Sequence, residues 1–124
     1  MAGRTTLSEK DLATIDLLHK AGLTLGIAKV LAVMAKGEET VSVKIEGLTA
    51  LRQPEVSIAM RELLRRKWAK RRSIKKDGKG RPVHGYILTV KFGDIVAELE
   101  TAQKRKAQEM DKTISRLKRL AKGL

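Results

Sequence analysis

With 124 residues, 42% of them hydrophobic and 2% aromatic, the chain has the size of one domain with an aliphatic core and too much apolar content to be disordered. The lack of cysteine excludes a disulfide framework and a thiolate metal site, and the two histidines, His19 and His84, are too far apart in sequence to suggest a metal cluster. The net charge of +13 raises the question of a polyanionic partner, which the distribution of that charge answers below.

Ser8 with Asp11 three residues on fits a capping box and predicts a first helix that buries Leu12, Ile15 and Leu18 and closes at Gly22. Thr24 is the expected cap of a second helix, whose apolar face is Ile27, Val30, Leu31 and Met34, with Gly37 as its stop. A short extended piece, Thr40–Val41, is expected next. Ser42 is then the expected cap of a brief third helix turning Ile45 and Leu48 inward and ending near Leu51.

Pro54 suits the first position of a fourth helix, predicted over 54–67. At 100° per residue, Val56, Met60, Leu63 and Leu64 gather on its inner side, while Ser57, Ile58, Arg61 and Arg65 lie outside. A short helix, a tight turn and a second helix of this length form a helix-turn-helix. Residues 68–75 and 83–88 read as two strands joined by a turn over 76–82, where Gly78 and Gly80 admit positive φ. Between Arg61 and Pro82 stand eleven basic residues against Glu62 and Asp77 alone. Charge so concentrated is the footprint of a polyanion, with nucleic acid ahead of a membrane surface. A patch serving only solubility is the plainer alternative.

The residues Gln53-Pro54-Glu55-Val56-Ser57-Ile58-Ala59-Met60-Arg61-Glu62-Leu63-Leu64 and Gly80-Arg81-Pro82-Val83-His84-Gly85-Tyr86 carry a resemblance. Over 25–88 the chain resembles the winged-helix domain of prokaryotic transcriptional regulators, in particular the small MarR-like and TrmB-like proteins of archaea. That implies a mainly α fold with a small β-hairpin wing, a recognition helix at 54–67 and double-stranded DNA as partner. Many relatives carry a ligand-sensing domain, for which this chain has no separate room; no cofactor is expected, though a small-molecule effector is not forbidden.

Within this frame Arg61 is the first choice for reading a guanine edge, because its planar fork donates twice. Ser57 could meet a base or a phosphate. Ile58 could pack on a thymine methyl, or equally be a bystander or a contact between copies. Arg52, Gln53 and Arg65 are placed for phosphates, as are Arg71, Arg72, Lys75 and Lys76 in the hairpin. Lys79 and Arg81 at the hairpin tip could enter the minor groove or bind the backbone. Trp68 reads as a plug between helix and hairpin, and the scarcity of aromatics argues against a base-stacking surface for single strands.

Residues 90–124, set apart from a DNA-binding domain over 1–89, predict a long C-terminal helix of roughly 45 Å. Phe92, Ile95, Leu99, Met110, Ile114 and Leu117 form an apolar stripe, interrupted near Lys106, that is expected to pair two copies; folding back onto its own domain is the alternative. A twofold dimer would set two recognition helices about 34 Å apart. No pattern of a metal site, activated nucleophile or phosphate-binding loop appears, so a non-enzymatic chain is expected. Without an apolar leader or a membrane-length run, a cytoplasmic, nucleoid-associated location is expected. Two other functions fit the same features: an architectural protein coating DNA with little sequence preference, and a winged helix serving as a protein-interaction module.

Overall fold

The computed structural model describes residues 6–74 and 83–124. It is mainly helical, with a small antiparallel sheet and a long last helix. In chain order the elements are α1 (Glu9–Lys20), α2 (Leu25–Met34), β1 (Thr40–Val41), α3 (Ser42–Thr49), α4 (Gln53–Arg65), β2 (Ala69–Ile74), β3 (Val83–Leu88) and α5 (Phe92–Lys122).

The N-terminal caps explain the first two helices. The Ser8 hydroxyl accepts from the Asp11 N–H at 3.1 Å, and the Asp11 carboxylate accepts from the Ser8 N–H at 2.9 Å. The Thr24 hydroxyl accepts from the Ile27 N–H at 3.3 Å. At the far end of α1, Gly22 takes φ +114°, and the N–H groups of Gly22 and Leu23 return to the His19 and Leu18 carbonyls. This paired closure absorbs carbonyls that the helix itself cannot satisfy. α4 ends the same way at Lys67 (φ 62°) and Trp68, whose N–H groups donate to Leu64 and Leu63. The fourth helix therefore stops at Arg65, two residues short of the expected 67, because a left-handed residue turns the chain into β2.

Two further starts differ from expectation. Ser42 is the first residue of α3 rather than its cap; Val41 takes the cap position and supplies no side-chain bond. α4 begins at Gln53, which places Pro54 one residue inside, and the Glu55 carboxylate satisfies the Arg52 N–H at 3.0 Å. Pro54 remains within the first turn, where a missing N–H is harmless.

α2 is the centre of the core. Ala28, Val30, Leu31, Ala32 and Met34 are all buried, so this helix is covered nearly all round by α1, α3 and α4. Ile15 and Leu18 of α1, Ile45 and Leu48 of α3, and Val56, Met60 and Leu63 of α4 complete it. Leu12, grouped with Ile15 and Leu18 in the sequence, is exposed instead, and Asp11 takes the inner position. Leu64 is only half-buried.

β1 extends the hairpin into a three-stranded sheet of order β1-β3-β2. Thr40 pairs with Tyr86 and Val41 with Gly85, while β2 runs opposite β3 from Ala69 with Leu88 to Ile74 with Val83. The first third of α5 packs back on the body through Ile95, which is 0% exposed, and Leu99. From residue 101 onward every position is exposed. None of the described helices is long and apolar enough to cross a membrane.

Candidate nucleic-acid interface

α3 and α4 are joined by Ala50, Leu51 and Arg52, and the turn is locked by Thr49. Its buried hydroxyl donates to the Ile45 carbonyl at 2.7 Å and accepts from the Leu51 N–H at 3.2 Å, while Ala50 takes φ 60°. Leu51 is buried, so the turn is fastened from inside. This fixes the start of α4 relative to α3.

The α4 helix turns Val56, Ala59, Met60 and Leu63 inward. Positions 54, 58, 61 and 65 then fall on one outward stripe at helical spacing. Ile58 is 63% exposed, and Arg61 is exposed with no ion-pair partner among the described residues. Gln53 and Ser57 are joined, the Gln53 amide donating to the Ser57 hydroxyl at 2.8 Å. Arg52 is exposed at the helix start. Beside this stripe Leu23 and Thr24 of the α1–α2 connection and Ile27 of α2 form with Ile58, Arg61 and Arg65 a shallow cleft.

Arg65 is exposed on this stripe and engaged by an acid. Its Nε and Nη2 donate to the two Glu62 oxygens at 2.8 and 2.6 Å, and Arg66 Nε adds a third bond to Glu62 at 2.7 Å. Glu62 thus holds two of the basic residues counted toward the polyanion footprint. The Arg65 and Arg66 bonds draw its carboxyl down from 4.5 to about 2. Arg66 also lies 4.8 Å from the centre of the Trp68 ring. Trp68 itself is buried between α4 and the sheet, with its indole N–H donating to the Glu98 carboxylate of α5.

Arg72 is engaged as well, bonding the Glu39 carboxylate with Nε at 2.5 Å and Nη2 at 2.9 Å. The pair holds Glu39 below the usual carboxylate range. Glu39 lies over Gly85: a Cβ there would stand 2.5 Å from Ile74 Cδ1 and 3.1 Å from the carboxyl carbon, so a side chain at this position would push the Ile74 tip and Glu39 aside. Alternation puts Lys70 and Arg72 on one face of β2 and Arg71, opposite Tyr86, on the other. Arg71 is exposed with no ion-pair partner among the described residues. Lys75, Lys76, Lys79 and Arg81 lie outside the described residues.

The sequence stripe assigned to pairing of copies divides. Ile95 and Leu99 belong to the chain's own core and Phe92 packs against it, so these three serve the alternative of a helix folded back on its domain. Met110, Ile114 and Leu117 are exposed, as pairing requires. Three features had no visible signal in the sequence. Glu62 and Glu39 read as scattered acids until the fold brings their arginines to them, and the Thr49 lock depends on a turn whose geometry no residue type announces. Compared with known protein families and with curated proteins, the chain matches none.

Proposed function

We propose that the chain is a winged helix-turn-helix protein of the MarR-like and TrmB-like kind, acting as a homodimeric regulator that reads double-stranded DNA. In this reading α4 enters the major groove, and the β2–β3 hairpin is the wing on the backbone or minor groove. The observation that carries it is the outward stripe of α4. A turn locked by Thr49 presents Ile58 and an Arg61 without an ion-pair partner among the described residues, on a rigid helix of about 20 Å, narrow enough for the major groove. The basic excess between Arg61 and Pro82 adjoins that stripe and would supply the phosphate contacts.

The division of labour follows from the ion pairs. Arg61 is available to bases, with Ser57 and Gln53 beside it. Arg65 and Arg72 reach phosphate only by exchanging Glu62 or Glu39 for it, so their contribution to binding is smaller than their charge suggests. Among the described residues Arg71 carries no such restraint, and Lys70 is drawn to Glu39 by charge alone, without a bond.

Titration of a labelled mixed-sequence duplex against rising salt tests the binding itself. Binding whose logarithm falls with log salt at a slope of about 4 or steeper supports the reading. Preferential competition by RNA would turn it toward RNA. Failure to bind any duplex at modest salt would instead make the basic face a docking surface for an acidic protein.

A further inference from the structure

Between α1 and the first third of α5 runs an open apolar groove, and its walls include Leu17, 64% exposed, and Val96, 47% exposed, with Phe92 at one end and Gln103 at the other. Gln103 closes the floor by donating to the Ala21 carbonyl at 2.6 Å. On the same side of α5, positions 107, 110, 114, 117 and 121 follow at alternating spacings of three and four. They are Ala, Met, Ile, Leu and Ala. This is an uninterrupted apolar seam over roughly 21 Å of helix that none of the described residues covers.

The charges along α5 indicate how such a seam is covered. Its first twelve residues, 92–103, hold three carboxylates and no cation, whereas 112–122 hold five cations and no carboxylate. Two copies laid parallel would set the cationic ends side by side. Laid antiparallel, each cationic end meets the acidic start of the other helix, where Glu100 lines the groove. The same arrangement lowers the apolar seam of one copy into the α1–α5 groove of the other.

We propose that the groove between α1 and α5 is the docking site for the distal half of α5 of a second copy, the two helices running antiparallel and crossing near Ala107. This rests on the homodimer reading above and gives it a geometry: each domain is held by a neighbour's arm, and the domains stand at opposite ends of the helix pair.

The natural absence of cysteine makes the test direct. Gly123→Cys adds a Cβ that would meet only the Leu120 carbonyl oxygen, at 3.5 Å, and accepts a spin label on the full-length chain. The antiparallel dimer separates the two labels by about 45–50 Å, whereas parallel pairing leaves them little farther apart than packed helix axes, roughly 10 Å. Ala107→Cys is expected to cross-link two copies on oxidation. Leu17→Asp, at an exposed position, is expected to weaken the dimer about tenfold or more without altering the fold. A dimer with close labels, without the Ala107→Cys cross-link, or indifferent to Leu17→Asp overturns the proposal and leaves the homodimer intact. A chain that sediments as a monomer at every concentration overturns both.

Discussion

Arg61 and Arg65 share the outward stripe of α4, yet Glu62 holds only Arg65. Arg61→Ala is therefore expected to cost about 1–3 kcal/mol at a cognate site and much less on bulk DNA, measured by anisotropy on both duplexes. Glu62→Gln has the opposite character. Releasing Arg65 and Arg66 is expected to tighten binding to all sequences alike and to steepen the salt dependence by about one to two units of slope. The same carboxylate sets a pH dependence. Its folded value, about 2, lies below the ordinary 4.5, so the stability it adds is complete above about 4.5 and is lost as pH falls toward 2. Acid unfolding followed by circular dichroism is expected to lose that component in Glu62→Gln.

At the scale of elements, the helix ends carry most of the positional information. Thr49→Val strands the buried Leu51 N–H and is expected to cost about 1–2 kcal/mol in denaturant unfolding. Lys67, left-handed at the end of α4, does the work that Gly22 does for α1; Lys67→Gly is expected to raise stability by up to about 1 kcal/mol. These two sites also mark the limit of what the sequence discloses. The capping box at Ser8, the cap at Thr24 and the inward faces of α2 and α4 are legible because local hydrogen bonds and helical spacing decide them. The exit of α4 at a lysine is not legible, since tertiary packing of Trp68 overrides the preference for glycine. Leu12 stands outside the core for a related reason: the capping box turns the Asp11 position inward. In the candidate site, the outward stripe of α4 could be read from spacing, whereas the Glu62 and Glu39 ion pairs required the fold to bring the partners together.

For the whole molecule, α5 has two parts with different duties. Its start is structural: Ile95→Ala removes a fully buried side chain and is expected to cost about 2–5 kcal/mol in thermal or denaturant unfolding. Beyond Gln103 the helix adds nothing to the core, so its apolar seam bears on assembly rather than on folding of the domain. A stripe read from the sequence as one surface is therefore two, because the heptad-like spacing that faces a partner also serves to face the domain. The sequence pattern carries no mark of where one use ends, and only the size of the body decides it. On the proposed function, a twofold pair of α4 helices calls for a DNA site with twofold symmetry.

The central claim is that the α4 stripe reads duplex sequence, and selection from a random duplex pool, with salt titration of selected and unselected DNA, tests it most directly. Recovery of a symmetric motif bound about 10³-fold or more tightly than bulk DNA, with the preference lost in Arg61→Ala, is the expected result. Tight, salt-sensitive binding with no motif would contradict it and leave a protein that coats DNA without reading it.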